Sequence, residues 1–508
     1  MTGRRCKGFA GAAAMMVAAV ATPAAADPVE DPPPAGPEVA SAAVPRPPGP
    51  DVQPAATPGE TATSRERTWA DVAGAPVPGA ESGRIDPPGG DSIWRVGMRG
   101  ILFVPRVATD VVLSPVKLTA WAYDRYHLDQ LYYRVFFNDA RTIGLVPTAA
   151  YDSGFGISAG ARFVDRDLAG AREHLAIEAR AGGRYSQAYK AALQSGERLG
   201  NRLMIEIDGQ YELRPRDVFW GIGDNNDSAR PAAPVDPRTD PTALDTRYRE
   251  RIARVAGVID ARLVDDLHLR SSTELADRTF AATSASDLGA GSLRIDAVYD
   301  PMALVGFGGV RTLYSELELR FDDRGRATYF EPAALYSAGS LAAVFAGRTH
   351  RLDHAPDYWR YGVDLQHFFR LTDGPRVLAL RLRGEGVSGS LAEVPFTELP
   401  QLGGPDDLRG YPIDRFRDRV LAVGSAEYEW DLSGILMASV FVDAGRVFDS
   451  LDALEARHLR VGYGFGLQGH TEYAFGFRGS LSSSIDGGLF LNLSFNQVFV
   501  LDERVRRR

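Results

Sequence analysis

The chain has 508 residues, 53 of them glycine and 32 proline, one cysteine and a formal net charge of −9. A single cysteine excludes an intrachain disulfide framework and a multi-thiolate metal site. The acidic balance argues against nucleic acid as a partner and fits a solvated or wet surface.

Arg4, Arg5 and Lys7 precede an apolar run, Phe9 to Ala21, and Ala24 and Ala26 then form a small-x-small site before Asp27. This pattern predicts a cleaved secretory signal peptide over 1–26. The apolar run is shorter than the ~20 residues of a spanning helix. Arg4-Arg5 also fits a twin-arginine signal. Cys6 precedes the apolar run, so it is not placed for lipid attachment. Removing a leader with three positive charges takes the net charge from −9 to −12. From Asp27 to about residue 91 the chain holds 15 of the 32 prolines and almost no large apolar residues. Such a segment buries too little to offset its ordering entropy and reads as a disordered spacer. Over 92–140, Ser114 and Pro115 suit a helix start. Leu118, Trp121 and Ala122, then Leu128, Leu131, Tyr132, Val135 and Phe136, recur at helical spacing around Arg125. Two short helices are expected, packed against the base of the segment that begins at Thr142, with a membrane-surface position as the other reading.

From Thr142 the period becomes two. In LMIEIDGQYEL, Leu203, Ile205, Ile207, Tyr211 and Leu213 oppose Met204, Glu206, Asp208, Gln210 and Glu212. LYSELELRF sets Leu313, Leu317, Leu319 and Phe321 against Glu316, Glu318, Arg320 and Asp322. VLALRLRGE and GLFLNLSFNQVF repeat the pattern, with Phe490 and Gln497 as exceptions. A soluble β-sandwich also alternates. Full charges of both signs on one face, and Leu, Ile, Val and aromatics on the other, favour strands that face lipid on one side and water on the other. The predicted fold is an all-β membrane protein, a single closed antiparallel barrel over 141–499 with a basic tail at 500–508. Fifteen strands can be placed, at 143–151, 154–165, 173–187, 200–213, 248–263, 267–281, 308–323, 334–347, 359–371, 376–387, 421–431, 435–444, 459–468, 473–483 and 488–499. Single-chain bacterial barrels have even strand numbers, so sixteen are expected, the missing one within 214–247 or 282–307. Two connections are long. The first, 221–247, begins with an acidic stretch that reads as a solvated loop, calcium being the alternative. The second is 388–419.

Several local signatures in order carry a resemblance. They are GFGISAGARFVDRDLAGAREHLAIEARAG (154–182), FWGIGDN (219–225), PFTELPQLGGPDDLRGYPIDRFRD (395–418), AEYEW (426–430) and FVDAGRVF (441–448). Together they resemble the barrel of the BamA/TamA outer-membrane assembly superfamily, the bacterial surface antigen group. The resemblance implies a sixteen-stranded barrel in the outer membrane and a role in outer-membrane protein or lipid biogenesis. Its partners would be outer-membrane lipid and unfolded outer-membrane proteins, or periplasmic and lipoprotein partners. It further implies that the 388–419 loop folds into the lumen. Arg409, followed by Gly410 and Tyr411, would be the loop arginine, with Gly403 and Gly404 allowing the reversal. Glu427 and Asp443 would be its acceptors. An arginine fork suits paired carboxylates, although an exposed hairpin tip with a solvated arginine also fits the residues alone.

The chain departs from the family in two ways. No βααββ periplasmic domain is visible before the barrel, which opens a passive channel or structural barrel as the alternative function. VLDERVRRR also comes after Phe499, where the family ends on an aromatic residue. In GYGFGLQG, Gly462, Gly464 and Gly466 would share the inner face and make room for the loop. No catalytic set, cofactor site or metal site is expected. HRLDH places His350 and His354 around Asp353, but in a polar connection. His268 and His367 fall on strands, with no serine that the sequence pairs with either.

Overall fold

The computed structural model describes residues 133–494 apart from 153–155, 184–185, 241, 290, 325–337, 372–375, 434–435 and 471–474. The expectations for the leader, the spacer, most of the 92–140 segment and the basic tail lie outside the described residues. Of the anticipated helices, one turn over Tyr133–Phe136 is described. Tyr133, Phe137 and Val146 pack together there, and Phe137 bridges Gly144 at the start of the sheet.

The sheet opens with β1 (Ile143–Asp152), β2 (Gly156–Asp165), β3 (His174–Gly182), β4 (Gln187–Gln194), β5 (Leu203–Phe219), β6 (Thr246–Val264) and β7 (Leu267–Ala282). After the dipeptide β8 (Leu293–Arg294) come β9 (Val310–Asp322), β10 (Gly339–Arg351), β11 (Tyr358–Arg370) and β12 (Arg376–Val387). The next connection contains β13 (Gln401–Leu402) and β14 (Phe416–Arg417), which pair with each other. The sheet continues with β15 (Val420–Ser433), β16 (Leu436–Phe448), β17 (Arg460–His470), β18 (Phe475–Ser484) and β19 (Leu489–Ser494).

Among the described residues the main sheet has 17 strands, of which β8 pairs in parallel with β6. The other sixteen pair antiparallel in chain order. Among the described residues, β4 is a strand that the sequence reading did not separate. It lies neither in 214–247, whose ends belong to β5 and β6, nor in 282–307, which contains β8 and two 3₁₀ turns. The stretch 173–187, read as one strand, holds β3 and the first residue of β4, and the Gly182 N–H donates to the Ser186 carbonyl at 3.0 Å. β4 reads QAYKAALQ, and its alanines leave too few large apolar side chains for the period to show.

The two faces of the strands are inverted relative to a soluble protein. On β9, Glu316, Glu318, Arg320 and Asp322 are all at most 8% exposed, while Leu317 is 58% and Leu319 48% exposed. β5 and β12 repeat this, with Glu206 and Arg381 buried and Ile207 and Leu382 open. Buried charges are tolerated only when paired. Arg254 meets Glu274 at 3.0 Å, Arg270 meets Asp260 at 2.7 Å and Arg381 meets Asp364 at 2.6 Å.

The charged face is concave. In a flat sheet β5 and β16 would stand roughly 40 Å apart, given strand spacing of ~4.8 Å. Yet Asp224, just after β5, lies 2.7 Å from Arg446 on β16 and 2.9 Å from Arg460 on β17. At the same end a buried apolar cluster fills the concavity, with Phe219, Tyr248, Phe280, Tyr299 and Phe396 at its centre.

Candidate functional site: the loop between β12 and β15

β15 and β16 place the acceptors by alternation. On β15, Glu427 and Glu429 are buried, while Tyr428 and Trp430 point outward and stack at 5.5 Å. On β16, Ser439, Phe441 and Asp443 are buried and Val440 and Val442 are exposed. The register sets Phe441 opposite Glu427 and Asp443 opposite Ser425, so both carboxylates lie on the charged face, one non-adjacent rung apart.

The loop 388–419 runs over this face. Arg409 at its tip is 4% exposed, and Glu427 and Asp443 are 0% exposed. The Arg409 Nε and Nη2 donate to the two oxygens of Asp443, each at 2.7 Å. Nη1 donates to Glu427 Oε2 at 2.5 Å. The Arg409 backbone N–H also donates to Asp443, at 3.0 Å. Its guanidinium carbon sits 3.6 Å from the centre of the Phe441 ring. Arg478 on β18 pairs with the other oxygen of Glu427. Two guanidinium groups and two carboxylates thus meet in a nearly enclosed space, where both carboxylates accept direct hydrogen bonds.

Neighbouring residues shape the approach. Gly462 on β17 lies directly beneath the tip, and a Cβ there would be 1.6 Å from the Arg409 carbonyl oxygen. Gly410 has φ of +93°, and a Cβ on it would be 2.2 Å from the Ser483 carbonyl oxygen. Only glycine meets both demands at Gly410. Gly403 and Gly404 begin the reversal, both with positive φ. Tyr411 donates from its hydroxyl to Asp486 at 2.8 Å and meets the Phe416 ring edge-on at 5.2 Å. Leu402, Leu408, Tyr411 and Phe416 pack against Leu421, Val423 and Val447.

Sequence reasoning missed most of the supporting contacts. Arg383 pairs with Asp407 at 2.5 Å, and Arg381 reaches Asp407 at 3.4 Å. Glu398 lies 3.6 Å from Arg278 on β7 and 3.9 Å from Arg360 on β11. Arg415 donates to the Asn226 side chain at 2.7 Å. Arg417 is 1% exposed and donates to the Phe396 carbonyl at 2.8 Å. Asp418, at the loop's exit, is pushed up to about 6 by burial. The one available signal was parity: Arg381, Arg383 and Arg478 fall on inward positions of alternating strands.

The remaining histidine readings resolve individually. His350 meets Asp357 at 2.9 Å, Asp353 pairs with Arg351, and His354 has φ of +64° in the turn. These residues do not converge. His268 contacts Asp260 at 3.2 Å. His367 does meet a serine, contrary to the reading from sequence: Ser340 Oγ is 2.8 Å from its Nδ1. The partner went unseen because β10 had to be registered against β11 first.

Residues 337–475 match the Omp85 superfamily domain. The resemblance to BamA/TamA barrels, read first from motifs such as LRGY and FVDAG, therefore holds. The matched Omp85 segment runs from β10 through β17 and includes the whole of loop 388–419, Glu427 and Asp443. Arg478 lies just beyond it.

Among solved structures, the chain is similar to BamA from Haemophilus ducreyi lacking POTRA domains 1–3, at 16% identity and a TM-score of 0.46, covering 70% of each chain. It is also similar to CdiB from Acinetobacter baumannii, at 12% identity and a TM-score of 0.42, covering 69% of this chain and 58% of that one. CdiB from Escherichia coli gives 11% identity and a TM-score of 0.42, covering 69% of this chain and 61% of that one. The chain thus spans about three fifths of the two CdiB chains. No curated protein sequence matches it.

Proposed function

We propose that the chain is an outer-membrane β-barrel that acts in the assembly or translocation of outer-membrane proteins, with loop 388–419 folded into its lumen as a plug. The inverted faces support a lipid environment: apolar side chains lie open and charged ones are enclosed. In lipid every backbone polar group needs an internal partner, which an open sheet edge does not provide. Closure of β19 onto β1 meets that requirement, and the sixteen antiparallel strands suit an even-numbered barrel. β5 has 17 residues, β6 has 19 and β7 has 16, more than the ~10 a spanning strand needs, so these strands extend past the bilayer.

The observation that carries the plug assignment is the Arg409 cluster. The loop's tip is anchored to β15 and β16 by a fully enclosed two-carboxylate fork. Its other contacts reach β7, β11, β12, β17 and β18, strands around the inside of one curved wall. Clients would be unfolded outer-membrane proteins, received with or without periplasmic or lipoprotein partners, while the outward face contacts outer-membrane lipid.

The test is reconstitution in liposomes, timing the insertion of an unrelated unfolded outer-membrane barrel. Acceleration over protein-free liposomes is expected. Absence of acceleration, with the protein itself folded, would replace this reading with a channel or structural role. Single-channel conductance examines the plug separately: Arg409→Ala should raise it, and an unchanged conductance would remove the plug assignment.

A further inference from the structure

Ser340 and His367 face each other across the β10–β11 ladder as a directly opposed pair. Ser340 Oγ lies 2.8 Å from His367 Nδ1, and the pair is half-buried. Both belong to the outward set of residues. Val344 on β10 and Leu365 and Phe369 on β11 share their parity and are open. The pair is therefore on the apolar face, away from the buried charges. It sits near the strand ends opposite loop 388–419, since β10 begins at Gly339 and β11 ends at Arg370. Tyr428 and Trp430, the outward aromatic stack on β15, lie at the same end.

Two features make this more than an isolated cross-strand hydrogen bond. First, the partners are oriented. The Phe369 ring meets the His367 imidazole edge-on with centroids 4.0 Å apart. Asp323 accepts a hydrogen bond from the Ser340 backbone N–H, and its own N–H donates to the Ser340 carbonyl at 3.1 Å. Second, His367 borders an open groove of about 560 Å³ on the same outer face. Leu365, Leu380, Leu382, Gly424, Ala426 and Ala444 line it. Small residues on β15 and β16 stand where neighbouring strands carry leucine, and this leaves an apolar trough leading away from the imidazole.

We propose that Ser340 and His367 form a serine acyl-hydrolase site for membrane phospholipids, with one acyl chain of the substrate seated in this groove. A nucleophile needs a base within hydrogen-bonding reach, and the pair satisfies that geometry. With the imidazole proton on Nε2, Nδ1 accepts the Ser340 proton as Oγ attacks the ester carbonyl carbon. The lipid alkoxide leaves with that proton, and the acyl group remains on Oγ. Water, activated by the same nitrogen, then cleaves the acyl–serine ester, releases the fatty acid and returns the proton to Ser340. The apolar groove selects an acyl ester over a soluble ester by burying the chain. This activity is independent of the loop and of the assembly reading.

The test uses the full chain folded into vesicles of phosphatidylethanolamine and phosphatidylglycerol, with heat-modifiable electrophoretic mobility as the check on folding. A fluorophosphonate probe should label the protein on Ser340, located by peptide mass spectrometry, and free fatty acid should accumulate. Ser340→Ala should abolish both, and His367→Gln should lower both by at least about 100-fold. Ala426→Trp, which fills the groove, should lower release from long-chain lipids by about tenfold relative to short-chain ones. The proposal is overturned if the folded wild type takes no label and releases no fatty acid, or if labelling survives Ser340→Ala.

Discussion

Arg409 at the tip of loop 388–419 and Arg417 in its neck are both buried, at 4% and 1% exposure, yet they are held in opposite ways. Arg409 has two carboxylates in its fork. Arg417 has none among the described residues. It donates to one carbonyl and lies 5.3 Å from the Phe219 ring and 5.9 Å from that of Phe396. Its Nε has no partner among the described residues. The tip is thus fixed by charge against β15 and β16, and the neck by an apolar cluster that Phe396 joins to Phe219, Tyr248 and Phe280 at 5.2–5.4 Å. A loop held in both ways has a register set at its tip and a bulk set at its neck. Charge pairing is directional and leaves costly orphans when broken, whereas ring packing is tolerant of small shifts.

The largest expected effect is at the tip. Arg409→Met leaves Asp443 enclosed without a cation and Glu427 with Arg478 alone, and should cost about 4 kcal/mol of stability. The urea unfolding midpoint in detergent measures it, and protease cleavage within 403–411 should rise in parallel. Phe396→Ala removes the ring at the centre of the neck and should cost about 3 kcal/mol in the same measurement. A larger loss at the neck than at the tip would reverse this ranking of charge pairing over ring packing. Arg417→Met sharpens the contrast, because it removes a cation and leaves no orphaned carboxylate. Its cost should be only about 1 kcal/mol, the scale of one hydrogen bond. Equal losses at Arg409 and Arg417 would show that burial, not pairing, sets the energy.

A pH slope at the neck gives a further check. Burial pushes Asp418 up to about 6 in the folded chain, while the unfolded value stays near the ordinary ~3.9. The folded state therefore holds the proton more tightly between those values. Stability should fall as pH rises from about 4 to about 6, by at most one proton's slope. Asp418→Asn should flatten that segment of the unfolding curve. A slope that persists in the variant would assign it to another group.

Strand alternation was the most legible property. β9 sets Leu317, Leu319 and Phe321 against Glu316, Glu318, Arg320 and Asp322 without a break, so its two faces were clear from this run alone. β4 was hidden because QAYKAALQ substitutes alanine for the large residues that report the period. Arg409, Glu427 and Asp443 were named through a family resemblance, since no local pattern links three residues in separate segments. Arg478, the second cation on Glu427, had no motif to announce it. The Ser340–His367 contact likewise depends on the β10–β11 register, which unites residues far apart in the chain.

Local chemistry, then, determined which side chains share a face, because a strand alternates by its own geometry and needs no partner to do so. It also determined where the chain must reverse, at glycine-rich positions such as Gly403, Gly404 and Gly410. The tertiary structure decided which face is enclosed and which carboxylate meets which arginine. Those outcomes rest on ladder register and on the curvature of the whole sheet, which are sums over many strands and are written in no single one of them.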